Sequence, residues 1–334
     1  MSPSPRDGAA MVYDPLHHQT LLFGGEYNHG NPLAETWVYN GTNWTHLQPA
    51  TSPTPRLWHG MAFDAAHGTI VLFGGCPNTT CTPAYLGDTW VWNGTTWTVQ
   101  TGLLQSPGPR LSPAMAYSGT TFNSGVVLFG GSNSPNTALG DMWIWNGTSW
   151  YTPEITPPPA RVGASMSYDT STQELVMFGG NSGTAPLNEL WRFNGSGWVE
   201  ANPLNPPQPR STQGQVYDPV RQVSVIFGGG GLNDTWLWSD RLRTWTNETT
   251  ADIPSGRFYV NLAYDIQNAD TVLFGGQTTS VRRVVSESGV VGDGSQFSLT
   301  EPFTISGNVS AIASVTVTLT NSVGASSPAT ANVP

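Results

Sequence analysis

The sequence predicts an all-β chain: six repeated units of four short strands set in a ring, with the last unit degenerate or incomplete. Three observations carry this. Phe-Gly-Gly occurs six times, beginning at Phe23, Phe73, Phe129, Phe178, Phe227 and Phe274. A leading arginine precedes each copy, at Arg6, Arg56, Arg110, Arg161, Arg210 and Arg257, mostly behind a proline. Seven residues after each arginine stands an aromatic: Tyr13, Phe63, Tyr117, Tyr168, Tyr217 and Tyr264. Self-similarity at a fixed period of about 50 residues is the mark of a repeat architecture, and it takes precedence over any local reading.

Within a unit the strands follow in order. The first runs from the arginine to the aromatic. The second is the aliphatic run into the double glycine, apolar at consecutive positions as expected of a strand buried on both faces. The third begins with Leu-x-(Asp/Glu)-x-Trp, as at Leu33/Glu35/Trp37, Leu86/Asp88/Trp90, Leu139/Asp141/Trp143, Leu187/Glu189/Trp191 and Leu232/Asp234/Trp236. The fourth carries a second tryptophan: Trp44, Trp97, Trp150, Trp198 or Trp245. Asn-Gly separates strands three and four at Asn40, Asn93, Asn146 and Asn194; this pair tolerates the positive φ of a tight hairpin. One such sheet cannot cover both of its faces, whereas neighbours in a ring cover them and limit exposed edges.

The period, the double glycine and the paired tryptophans resemble kelch repeats over residues 1–276. The resemblance implies a six-bladed kelch-type β-propeller with four-stranded blades, occupying residues 1–300. It fails after Gly276, where the third-strand motif and closing tryptophan are missing. Degenerate outer strands are expected at Val281 to Val285 and Phe297 to Leu299. Residues 301–334, with the alternation Val315-Thr316-Val317-Thr318-Leu319-Thr320, form a β-rich tail resembling the last strands of immunoglobulin-like or PKD modules.

Composition bounds the function. The net charge of −10 disfavours nucleic acid, whose phosphates would be repelled. All twelve cations are arginine, which excludes lysine Schiff-base chemistry. No apolar run reaches the ~18 residues of a membrane-spanning helix. Cys76 and Cys81 share one loop and lack further cysteines for a zinc site, so a local disulfide is expected, and with it an oxidising, extracellular or cell-surface setting. No signal peptide precedes the first repeat, so export implies a mature or excised segment. Nine Asn-x-Ser/Thr sequons are glycosylation candidates: Asn40, Asn43, Asn78, Asn93, Asn146, Asn194, Asn233, Asn247 and Asn308.

Residues filling one slot in five or six blades read as architectural. The leading arginines are expected to pair with the acid before each tryptophan; exposed instead around the channel, they would form an anion site. Residues outside the slots are better binding candidates. Trp58 is the only tryptophan out of register, His59 adjoins it, and Phe258 and Tyr259 match it in the sixth unit. In kelch propellers the segment leading into strand one and the loop after Gly-Gly share a face that binds partners, so Tyr27, Glu26 and Tyr85 join the candidate set. Packing between blades is the competing role for Trp58.

No catalytic constellation, metal site or cofactor motif is found. Copper radical oxidases of similar fold need His, Tyr and Tyr–Cys ligands from different blades. Here all six histidines lie in the first two repeats. The expected function is a secreted or cell-surface module binding a protein or glycan through its loop face. The alternative is a building block of a surface layer, filament or adhesin, with a carbohydrate-active enzyme or oxidase further off.

Overall fold

A computed structural model describes residues 2–27, 31–82, 84–250 and 254–278, together with the backbone of strands at 289–290, 315–320 and 326–331. The described residues form strands and turns with no helix. Among the described residues there are five four-stranded blades, not six. Blade one comprises Asp7–Asp14, Gln19–Tyr27, Thr36–Tyr39 and Trp44–Leu47, with Asn31–Pro32 paired to its second strand. Blade two comprises Gly60–Asp64, Thr69–Gly75, Leu86–Trp92 and Trp97–Gln100, and three further blades repeat the order up to Asn247.

In the sixth position stands a hairpin of Asn261–Asp265 and Asp270–Phe274, to which, among the described residues, only the two-residue Gly289–Val290 adds. The physical reason lies in the sequence. The two tryptophans that pack the outer strands elsewhere are absent after Gly276. The outer strands expected at 281–285 and 297–299 lie outside the described residues. Val315–Thr320 pairs antiparallel with Ser326–Ala331.

The core consists of seams between blades. Second strands are fully covered, as at Leu21, Leu22 and Phe23 or Ile70 to Phe73. Each closing tryptophan reaches the Phe-Gly-Gly phenylalanine of the preceding blade: Trp97 lies on Phe23 at 5.3 Å, Trp150 on Phe73 at 5.6 Å, and Trp198 on Phe129 at 6.0 Å. Trp245 lies on Phe178 at 5.0 Å, and Trp44 of blade one on Phe274 at 5.1 Å, which closes the circle. Edge-to-face and tilted geometries of this kind suit the ring quadrupole.

The leading arginines are the second architectural device. Arg56 holds Asp88 through two 2.8 Å bonds and donates to the Gly74 carbonyl, while Trp90 Nε1 donates to the same carboxylate. The same arginine–acid–tryptophan cluster joins Arg6 to Glu35, Arg110 to Asp141, Arg161 to Glu189 and Arg210 to Asp234. All six arginine side chains are buried, so they offer no anion site to solvent. Their fixed fork suits a carboxylate and a carbonyl at once.

The double glycines bring blades together. In each blade the second glycine donates its N–H to the carbonyl of the next leading arginine, as Gly25 to Arg56 at 2.9 Å and Gly75 to Arg110 at 2.8 Å. A Cβ on Gly25 (φ +85°) would meet the Asp7 carbonyl oxygen at 2.7 Å, so no larger residue fits there.

Candidate functional site

Antiparallel strands place the turns one–two and three–four at one end of the disc, and the loops after Gly-Gly with the arginine segments at the other. Packing confirms the first set. His17, in the blade-one turn, lies against Gly94 of the blade-two Asn-Gly turn, and His67 lies likewise against Gly147. At the opposite end the channel opens, and there the candidate site is built.

Two residues beyond each leading arginine, the backbone enters the left-handed region: Gly8, Trp58, Ser112, Gly163, Thr212 and Tyr259, with φ between 45° and 66°. A hydrogen-bonded belt links them around the mouth. Trp58 N–H donates to Gly8 at 2.7 Å, Ser112 to Trp58 at 2.7 Å, Gly163 to Ser112 at 3.0 Å and Thr212 to Gly163 at 2.7 Å. Val260 N–H then donates to Thr212 at 3.1 Å. Trp58 therefore occupies a structural slot after all. Its register was legible as a constant offset of two from each arginine, and what is peculiar to it is the side chain.

The belt sets the aromatics. Blade one contributes only Gly8 between Trp58 and Tyr259, and the two rings meet there, centroids 5.6 Å apart and tilted by 34°. A Cβ on Gly8 would stand 3.1 Å from the indole Cδ1 and Nε1. Trp58 and Tyr259, matched in position along the sequence, are thus brought together. Together with Ser112, Thr212 and Gln213 they line a cavity of about 120 Å³ at the channel mouth, and a second of about 170 Å³ lies deeper.

The other expected residues are placed differently. His59 is only 6% exposed and packs edgewise on Phe23 at 5.6 Å, so it lines the cavity wall instead of presenting a surface. Burial, with the neighbouring Arg56 charge, pushes its pKa down to about 3, so the imidazole is neutral. Glu26 is buried and is not an exposed contact. It stands opposite Asp7 on the paired strands of blade one. Tyr27 is exposed at the end of the second strand, while Phe258 and Tyr85 are half-buried. Phe258 pairs with Gln277 in a two-residue bridge. Asn28 and His29 lie outside the described residues.

Charges of both signs reach the mouth: Arg56 acts on His59, and Asp7 and Glu26 act on Tyr259. Burial raises the Tyr259 pKa, and the Asp7 and Glu26 carboxylates raise it further. Trp58 Nε1, both His59 ring nitrogens and Gln213 Oε1 are buried without a hydrogen-bond partner among the described residues. Gln213 was missed from the sequence. It stands three residues after Arg210, where the other blades carry Ala9, His59, Pro113, Ala164 and Val260, and its amide donates to the Phe178 carbonyl at 2.8 Å. Among the described residues no group of three or more His, Cys, Asp or Glu side chains could hold a metal ion.

Cys76 and Cys81 are disulfide-bonded in the loop after the blade-two glycines. At the opposite end, the asparagines of the four Asn-Gly turns are exposed. Each accepts bonds from the sequon hydroxyl and the following amides, as Asn93 Oδ1 does from Thr95 Oγ1 at 2.9 Å. Asn43, Asn233 and Asn247 are also exposed, Asn78 is half-buried, and Asn308 lies outside the described residues.

Compared with known families, the chain matches the model of the KLHDC2/KLHL20/DRC7 Kelch-repeats domain twice, over residues 1–149 and 95–276. The match ends before the tail and lends no support to an immunoglobulin-like module there. No curated protein matches the chain.

Proposed function

Since the chain belongs to the KLHDC2/KLHL20/DRC7 kelch-repeat family, we propose that it is a protein-binding module whose partner docks on the loop face at the channel mouth. The observation carrying this reading is the meeting of Trp58 and Tyr259 across Gly8. Two large rings on a rigid belt, beside polar groups lacking internal partners, are what a binding hot spot requires. Kelch propellers are typically interaction domains without catalysis, and the candidate residues form no acid–base pair suited to it.

An extracellular or cell-surface setting belongs to the same reading. The disulfide supports it, because such bonds persist in oxidising compartments. The exposed sequon asparagines support a glycosylated face opposite the docking face. A partner of the adhesion or recognition kind follows from that setting.

The test is affinity capture from the native source with the wild type and with Trp58→Ala and Tyr259→Ala. Truncating an aromatic anchor costs ~2 kcal/mol or more, about thirtyfold in affinity. Both variants should lose the wild-type partners while keeping the wild-type melting temperature. Undiminished capture by both would remove the docking face from the channel mouth.

A further inference from the structure

The mouth combines three features that select a charge type. The first is the aromatic pair. The face of an indole or phenol ring carries negative quadrupole potential and attracts an ammonium or guanidinium group. Trp58 and Tyr259 present two such rings around a position where blade one has no side chain.

The second is the field behind them. Asp7 immediately precedes Gly8, which lines the cavity, and its Cα partner across the sheet is Glu26. Both carboxylates are at most 3% exposed. The rise in the Tyr259 pKa, led by burial, includes both of their charges, so their field reaches the phenol. Of the nearby cations, Arg6 and Arg56 each carry a carboxylate partner of their own, Glu35 and Asp88. His59 adds no positive charge, because its pKa lies at about 3.

The third is the hydrogen-bond inventory. Gln213 Oε1 and one nitrogen of the neutral His59 ring are acceptors, buried and without partners among the described residues. A guanidinium or ammonium supplies only donors, which is the complement. The indole N–H of Trp58, a donor, remains for a backbone carbonyl of the same partner.

We propose that the channel mouth is a cation pocket that takes an arginine or lysine side chain of the docking protein, against the paired Trp58 and Tyr259 rings and in the field of Asp7 and Glu26. A cavity of about 120 Å³ suits the end of one side chain. The net charge of −10 steers a basic segment toward the chain. An anionic group finds no exposed guanidinium in the belt, since all six leading arginines are buried. The assignment rests on the docking reading above, and it names the chemistry of that contact.

The experiment uses N-acetyl-arginine amide, its neutral citrulline analogue and the glutamate analogue, titrated into the full chain. Nuclear magnetic resonance follows the Trp58 indole N–H, assigned by its loss in Trp58→Phe, and the Gly8 and Gly163 amides. The arginine probe should give saturable shifts at all three, and citrulline should bind about tenfold more weakly. Asp7→Asn and Glu26→Gln, each checked for an unchanged melting temperature, should weaken arginine by about threefold or more.

Citrulline binding as tightly as arginine, glutamate binding more tightly, or no saturable shift up to about 100 mM arginine overturns the cation pocket. The two readings fail separately. Loss of partner capture in Trp58→Ala without any arginine binding keeps the docking face and sinks the cation. Full capture by Trp58→Ala sinks the docking face whatever arginine does.

Discussion

Gly276 donates its N–H to the carbonyl of Arg6 at 3.1 Å, joining the two ends of the repeat array. The same bond links each preceding pair of blades, so the ring closes with the device that builds it. The hydrophobic counterpart is Trp44 on Phe274, within a cluster that includes Met11, Tyr13 and Val272. The sixth sheet is therefore a member of the ring, with Gly289–Val290 as its described outer strand. Phe274→Ala should cost ~3–5 kcal/mol, as for other buried aromatics. Hydrogen exchange should show protection lost together in Asp7–Asp14 and Asp270–Phe274; loss confined to the latter would mean that the closing seam carries little of the stability.

The arginine–acid–tryptophan clusters admit a sharper test. Arg56→Met removes the partner of Asp88 and of the Gly74 carbonyl in one step. Breaking a buried ion pair from one side costs ~3–5 kcal/mol, and the partial exposure of Asp88 places this case near the lower end. Adding Asp88→Leu should restore part of the loss, because the stranded carboxylate is then gone. Denaturant titration of both variants measures it, and an equal or larger loss in the double variant would count against the ion pair as the cause.

These clusters also set an acid limit. Burial alone would raise the pKa values of Asp88, Asp141 and Asp234, but bonds and charge from Arg56, Arg110 and Arg210 outweigh it and lower them. Glu35 and Glu189 are lowered in the same way by their arginine and tryptophan partners. A folded pKa below the unfolded one gives stability that is complete above the unfolded value and lost as pH falls through the folded one. Glu174 and Asp270, raised chiefly by burial, act in the opposite sense and gain stability on protonation. Five lowered groups against two make the first sense dominant. His59, neutral in the fold with its pKa at about 3 but protonated below about pH 6.5 when unfolded, adds a loss in the same sense. The melting temperature should therefore hold between about pH 7 and 8, begin to fall below about pH 6 and fall steeply below about pH 4. A melting temperature that rises on acidification to pH 3 would reverse this assignment.

Much of the scaffold was legible in the sequence because the repeats constrain one another. The arginine–aromatic spacing of seven, the double glycine and the paired tryptophans fix strand order and the seams between blades. The outer strands of the sixth position were not legible, since no tryptophan marks them. The site was readable in part. Trp58 and Tyr259 share an offset from their arginines, and the structure joins them. His59 and Glu26 look like surface candidates by position, but whether a side chain turns outward or into a seam depends on the neighbouring blade. Gln213 escaped notice because its polarity matters only once the seam beside Phe178 is seen.

Glycan placement follows from the turns. Asn40, Asn93, Asn146 and Asn194 are exposed at the end of the disc away from Trp58. If the protein is exported through a glycosylating pathway, peptide mapping should find these four occupied. Removing the glycans enzymatically should leave partner capture unchanged, because the docking face lies at the other end. Finding these four bare while Asn233 or Asn247 is occupied would defeat this arrangement.

The final prediction separates the two tryptophan classes. Trp97 is fully buried, packs edge-to-face on Phe23 and donates to Thr36 Oγ1 at 3.0 Å. Trp97→Ala empties a core site and strands the Thr36 hydroxyl, for a loss of ~3–5 kcal/mol. Trp58 is half-buried and held at φ +57°, in a slot where blades one and four carry glycine. Left-handed backbone is strained for a tryptophan and free for glycine. Trp58→Gly should therefore leave the melting temperature within a few degrees of wild type, the relieved strain offsetting lost ring contacts. Partner binding should fall about thirtyfold in the same variant. Gly8→Ala provides the converse, since its Cβ would stand 3.0 Å from the Leu57 Cβ and press on the Trp58 indole at φ +63°. It should lower both stability and binding. If Trp58→Gly destabilises the chain as severely as Trp97→Ala, the indole is a packing residue of the belt, and the channel mouth loses its claim to be the docking face.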